Sequence, residues 1–199
     1  MVSAFDVRDI AAVRKALETL PRPFRAVDVL INNAGLGLGK EKFYEGDPAD
    51  WDVMIDTNIK GLLYISRFIA PEMVARGKGH IINISSIAGR RAYPGGNVYC
   101  ATKAAVRMLS SAMRIDLIDT PVRVTDIAPG KVKTDFSRVR FKGDAQRAKK
   151  EYLGFHPLSS HDIAEIAVFV VSRPDHVVLD ELLVTPREMI STAIFHKRR

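Results

Sequence analysis

The sequence predicts an α/β fold, a doubly wound parallel sheet with helices on both faces. Two observations carry this. Short apolar runs alternate along the chain with longer stretches whose apolar residues recur at helical spacing, the pattern of strands joined by crossover helices. The run at residues 27–31 is also continuously apolar apart from Asp28, as expected for a strand covered on both sides.

Taken in order, residues 2–7 read as a first short strand, after which Asp9 caps a helix that places Ile10, Val13, Leu17 and Leu20 on one face. Pro21 and Pro23 end that helix, because proline has no N–H to continue it. The strand at 27–31, broken only by Asp28, runs directly into the loop Asn32-Asn33-Ala34-Gly35. Asp47 caps a long helical stretch over 48–76, closed by Gly77-Lys78-Gly79 before the strand at 80–84 and the loop holding Ser85, Ser86 and Gly89. Within that stretch Trp51, Met54, Leu62, Leu63, Ile65 and Ile69 read as packing positions. A second long helix covers 96–119, and the strand at 122–127 stops at Pro129-Gly130. Residues 131–158 are polar, basic and irregular, with one short helix expected at 145–152; loops this long in compact domains are usually lids or binding loops. A helix at 162–172, the strand at 179–184 and a tail complete the chain.

At 199 residues and 47% hydrophobic composition, residues 1–199 read as a single domain with one core. The net charge of +7 is scattered, with short clusters only at Arg90-Arg91, Lys149-Lys150 and His196 to Arg199. Scattered charge is usually solvated surface, and no basic face with interleaved aromatics marks a specific nucleic-acid partner. The single cysteine, Cys100, excludes an internal disulfide and reads as a small buried hydrophobe. With no basic-then-apolar leader at the start, a cytoplasmic protein is expected. The longest apolar stretches, 61–69 and 163–171, are too short to span a bilayer, so no membrane association is expected. The five histidines show no metal-ligand spacing, and no metal site is expected.

The chemistry is concentrated on the second long helix. Tyr99 and Lys103 stand at i and i+4, so their head groups share a face. Tyrosine with its reference pKa of about 10 exchanges protons poorly at neutral pH; reaching roughly 7 takes on the order of 4 kcal/mol, to which a neighbouring ammonium contributes. In isolation such a pair is more often a surface contact. It gains weight from three loops at predicted strand ends, where open α/β sheets place ligands: Asn32 to Gly35, Ser85-Ser86, and Pro129 to Thr134. The Ser86 hydroxyl is suited to polarise a carbonyl while Tyr99 gives the proton. Asn58 sits mid-helix, where a short polar side chain competes with the backbone and opens a kink able to hold a water in line with Lys103.

In this order, Asn32-Asn33-Ala34-Gly35, Asn58 in its Thr-Asn-x-x-Gly context, Ser86, Tyr99-Cys100-Ala101-Thr102-Lys103 and Pro129-Gly130-x-Val132-x-Thr134 resemble the short-chain dehydrogenase/reductase family. The resemblance implies a Rossmann-like fold and NAD(P)-dependent hydride transfer at a hydroxyl or carbonyl carbon, with Asn58, Ser86, Tyr99 and Lys103 as a catalytic tetrad. It further implies that Lys103 and Tyr99 border the nicotinamide ribose, that Asn32, Ala34 and Gly35 lie along the cofactor, that Pro129, Gly130, Val132 and Thr134 meet its carboxamide end, and that Asp6 and Val7 flank the adenine. An oxidised nicotinamide ring would assist Lys103 in lowering Tyr99. A homodimer or homotetramer, paired through the helices bearing Asn58 and Tyr99, is implied as well.

The stretches from Tyr93 to Tyr99 and from Phe136 to Asp144 are similar to the NADP-dependent 3-hydroxy acid dehydrogenases, which act on serine and allo-threonine. That likeness implies NADP(H) in preference to NAD(H), and a small hydroxy or keto substrate whose carboxylate meets Arg138, Arg140 or Lys142, unless these are solvated loop charges. The sequence departs from the family in one respect. The Thr-Gly-x-x-x-Gly-x-Gly turn that cradles the pyrophosphate is not present, and Gly35-Leu36-Gly37-Leu38-Gly39 follows the wrong strand to replace it. The fold is therefore expected to lack the family's first two strands, orphaning the segment at 2–7 and exposing a sheet edge. An inactive fragment or interaction protein that retains the tetrad stays open beside the oxidoreductase; a nucleic-acid binder and a hydrolase are disfavoured, the latter for want of a Gly-x-Ser-x-Gly elbow.

Overall fold

The computed structural model describes residues 1–194 and 196, so Lys197, Arg198 and Arg199 of the basic tail lie outside the described residues. The elements are α1 (Ile10–Glu18), β1 (Val29–Asn32), α2 (Pro48–Ile55), a π-helical turn (Asp56–Gly61), α3 (Leu62–Arg76), β2 (Gly79–Ile84), α4 (Asn97–Asp116), β3 (Val122–Pro129), α5 (Phe136–Arg140), α6 (Ala145–Lys150), α7 (Ser160–Val171) and β4 (Glu181–Val184). The strands pair in parallel in the order β1-β2-β3-β4. Register aligns Asn32 with Asn83, Asn83 with Asp126, and Asp126 with Glu181, so a polar row crosses the sheet from β1 to β4.

Local chemistry sets the helix starts. The Asp9 carboxylate accepts the amides of Ala11 and Ala12 at 2.8 and 3.1 Å, and Asp47 accepts that of Ala49 at 2.9 Å. A capping box between Ser159 and Asp162 starts α7 at Ser160, slightly earlier than its apolar periodicity suggests. On one face of the sheet Leu30, Ile81, Val122 and Val124 pack against Ile69 and Met73 of α3, with Leu17, Met113 and Leu117 around them. On the other, Ile82 and Ile127 pack against Val170 of α7. Burial of each such side chain contributes roughly 1.5–3 kcal/mol. Among the described residues no helix is long and apolar enough to cross a membrane.

Two expectations are corrected. Residues 2–7 form no strand, because no neighbouring strand is available to pair their N–H and C=O groups; most of the segment is exposed and Asp6 pairs with Arg8 instead. β1 is consequently the sheet edge, with Val29 40% and Ile31 46% exposed on the face that no helix covers. The stretch at 131–158 holds two short helices, α5 and α6, the first capped by an Asp135 that makes no side-chain bond and supported by its packing over the site below.

Candidate active site

Asn58 lies in the π-helical turn, 1% exposed. Its Oδ1 accepts the Leu36 amide at 2.8 Å, while its Nδ2 donates to the Leu36 carbonyl at 2.8 Å and to Thr102 Oγ1 at 3.0 Å. Thr102 in turn donates to the Tyr99 carbonyl at 2.9 Å. At Asn58 the helix is widened into a π turn, whose side-chain bonds tie the loop after β1 to α4.

On α4, Lys103 is buried and donates to the Ile84 carbonyl at 2.8 Å. Burial pulls it down to about 8, with the Asp126 charge acting in the opposite sense. A Cβ added at Gly35 would stand 3.2 Å from both Asn58 Oδ1 and Lys103 Nζ, so bare backbone borders this ammonium. Ser86 caps the short turn after β2, accepting the Ala88 amide at 3.1 Å and donating to the Pro129 carbonyl at 3.4 Å. It also interacts with the Tyr99 hydroxyl, so the ends of β2 and β3 and the start of α4 converge on one point. Burial raises the Tyr99 pKa; the cation that opposes the rise is Arg140, with Ser86 adding to it.

Arg140 was one of three candidate substrate cations, and the structure separates them. Its guanidinium lies 4.6 Å from the Tyr99 ring centroid, 5.0 Å from Phe136 and 5.8 Å from Tyr93, buried and without an ion pair among the described residues. Its Nε finds no acceptor. Arg138 is exposed, and Lys142 points away to Asp50 at 2.9 Å. The segment carrying Arg140 is held down by three links: Gly39 N to the Arg140 carbonyl at 3.0 Å, Ser137 Oγ to the Tyr152 hydroxyl at 2.8 Å and on to the Val132 carbonyl at 3.1 Å, and Glu151 between Lys40 and Lys131 at 2.7 and 3.0 Å.

Of the remaining predicted residues, Asn32 spends its amide inside the fold, donating to Ser66 Oγ at 2.9 Å and Asn83 Oδ1 at 2.8 Å; Ala34 and Gly35 form the loop above it. Gly130 donates to the Val184 carbonyl at 2.7 Å, and Thr134 Oγ1 accepts the Phe136 amide at 3.2 Å. Val7 packs over Gly61 beside the π turn, and Asp6, drawn down to about 2 by its hydrogen bonds with Arg8, is solvent-exposed. Two groups of consequence escaped the sequence reading. Glu151 carries no local signal, but Asp126 does: it is an acid inside a run predicted to be a buried strand.

The family model for short chain dehydrogenase matches residues 1–145. The Salmonella typhimurium protein named NADP-dependent 3-hydroxy acid dehydrogenase YdfG is 49% identical over 187 residues, 94% of this chain and 75% of that protein. A Schizosaccharomyces pombe NADP-dependent 3-hydroxy acid dehydrogenase is 44% identical over 181 residues, 91% of this chain and 70% of its relative. Among solved structures, the closed form of serine dehydrogenase complexed with NADP+ is similar with a TM-score of 0.94 at 46% identity, covering 99% of this chain and 80% of that one. Serine dehydrogenase from Escherichia coli gives a TM-score of 0.80 at 43% identity, covering 92% and 75%.

Proposed function

Because the chain belongs to the short-chain dehydrogenase family, we propose that it is an NADP-dependent oxidoreductase that oxidises the hydroxyl carbon of a small 3-hydroxy acid, serine included, and catalyses the reverse reduction. The acid specificity rests on Arg140: a buried guanidinium stacked over the Tyr99 ring, with no carboxylate partner among the described residues, is suited to receive a substrate carboxylate.

The residues present fit the nicotinamide end of the cofactor, since Lys103 has three N–H donors and, among the described residues, one hydrogen-bond acceptor, the Ile84 carbonyl, next to the open backbone of Gly35. We assign Lys103, Tyr99, Asn32, Ala34 and Gly35 to the nicotinamide ribose side, Pro129, Gly130, Val132 and Thr134 to the carboxamide, and Asp6 and Val7 to the adenine. When bound, the oxidised cofactor supplies the hydride acceptor and a positive charge beside Tyr99. Ser86 holds the substrate oxygen, and Tyr99 takes its proton during oxidation and returns it during reduction. Arg140 and Ser86 oppose the burial that keeps Tyr99 protonated, and the Lys103 ammonium one turn along α4 adds its charge in favour of the phenolate. Asn58 keeps the Leu36 loop and α4 in fixed relation.

The reading also places the protein in the cytoplasm as a homodimer or homotetramer, supported by the single cysteine and by exposed Leu63 and Val74 on α3 and Met108 and Ile115 on α4. Light scattering tests the assembly. Calorimetric titration with NADPH, followed by turnover of serine and allo-threonine with NADP+, tests the reaction; Tyr99→Phe is expected to abolish it. Arg140→Gln is expected to raise the KM for serine about a hundredfold, the scale of a lost charge-assisted pair, while the KM for a neutral alcohol stays as it was. Equal effects on acid and alcohol would remove the carboxylate assignment.

A further inference from the structure

A carboxyl that the scheme above leaves unused lies in the middle of the sheet. Asp126 on β3 is 2% exposed and sits between Asn83 of β2 and Glu181 of β4. Both neighbours in its row are matched. Asn83 donates to Ser110 Oγ at 2.9 Å and accepts from Asn32 at 2.8 Å, and Glu181 pairs with Arg90 at 2.7 Å and Arg107 at 2.6 Å. Among the described residues neither Asp126 oxygen makes a well-formed hydrogen bond, nor does the Ser85 hydroxyl beside it. A buried carboxylate left this way is strongly unfavourable unless it takes up a proton or a charge answers it.

Among the described residues the cations whose fields reach Asp126 both stand on α4: Lys103, enclosed, and Arg107, near the surface. Arg107 is committed to Glu181. Lys103 points toward Asp126's end of the sheet, since its ammonium is anchored on the Ile84 carbonyl and the next residue, Ser85, donates its amide to Ile127 beside Asp126.

We propose that Asp126 is the buried counter-ion of Lys103, and so a positioning residue for proton transfer at Tyr99; the role in transfer rests on the dehydrogenase reading above. Its charge keeps Lys103 cationic where burial alone would strip the proton. Burial raises Asp126 itself above the ordinary carboxylate range; Ser85 opposes this, the Glu181 charge adds to it, and Lys103 opposes it in turn. The pairing therefore holds in the window above the Asp126 titration and below that of Lys103, where both groups are charged.

Asp126→Asn preserves shape and removes the charge. In 15N-lysine-labelled protein without cofactor or substrate, with Lys103 identified by Lys103→Met, the Lys103 titration midpoint is expected to fall on the order of one pH unit, a tenfold loss of proton affinity. In turnover, the limb of the pH–kcat profile that reports this lysine should move with it, with the KM for serine unchanged. A folded Asp126→Asn variant with an unmoved Lys103 midpoint overturns the proposal. If the variant does not fold, the wild-type Asp126 carboxyl 13C resonance decides: it must shift through the Lys103 midpoint and lose that inflection in Lys103→Met, and a flat response overturns the pairing. The lysine titration needs no turnover, so an absence of serine oxidation would count against the function and leave this result standing.

Discussion

Glu151→Gln should loosen the segment that carries Arg140 without unfolding the protein. Glu151 has its side chain 18% exposed, with Lys40 at 32% and Lys131 at 22%, so solvent screens these pairs only partly. Lys40 Nζ lies 2.7 Å from Oε1, and Lys131 Nζ reaches both Oε2 at 3.0 Å and the Glu151 carbonyl at 2.8 Å. Glutamine retains the shape and one acceptor, so the loss is that of charge from two hydrogen bonds, about 2 kcal/mol in total. That is roughly a thirtyfold rise in the open population of residues 136–158, read as faster amide exchange there while α4 and β3 exchange as before. The acid response has a definite sign. Burial raises the Glu151 pKa, but the hydrogen bonds from Lys40 and Lys131 outweigh it and the net shift is downward from 4.5. The clasp is therefore at full strength above 4.5 and is lost as pH falls through the lower folded value. Identical exchange in wild type and variant at neutral pH would refute the clasp.

At Gly37, an added Cβ would come within 2.5 Å of Arg140 Nη2 and 3.0 Å of Tyr99 Cδ2. The flexible guanidinium yields first, so Gly37→Ala should raise the KM for an acid substrate roughly tenfold with little change in Tm; an unchanged KM would contradict the seating of Arg140. His80, hydrogen-bonded to Thr125 Oγ1 at 2.9 Å, is held down to about 4 from 6.5 by burial, with Arg123 adding to the effect. The unfolded chain protonates first, so stability is intact above 6.5 and falls toward 4 by up to about 3 kcal/mol; in urea titrations across that range, His80→Asn should flatten the slope. Met73, wholly enclosed against Leu30 and Ile81, should cost about 3 kcal/mol on truncation to alanine, checked by the denaturation midpoint.

Strand and helix identities were legible where burial and capping act locally. The apolar run before Asn32 and the carboxylates of Asp9 and Asp47 each act within a few residues of where they stand, and the structure places their elements accordingly. Residues 2–7 failed for the complementary reason: a strand is a property of its neighbours, and a short segment carries no record of whether a partner lies beside it. The same distinction runs through the site. Asn58, Ser86, Tyr99 and Lys103 fall in short motifs, and the structure brings them to one place. Arg140 could not be separated from Arg138 and Lys142 by sequence, because which face of a five-residue helix turns inward is decided by the aromatic rings it meets, namely Tyr93, Tyr99 and Phe136.

The π turn at Asp56–Gly61 also sets the phase of everything that follows it. Such a turn is a helix holding one residue more than its regular ladder uses. Deleting that residue would restore an uninterrupted α-helix and rotate α3 by about 100° about its axis. Ile69 and Met73 would swing off the sheet while the solvent-facing positions swung on, so the fold and the Asn58 contact with Leu36 depend on the same surplus residue. Length variation in this helix is consequently far less tolerable than substitution: a side chain changed here alters one contact, whereas a residue gained or lost re-aims a whole helical face.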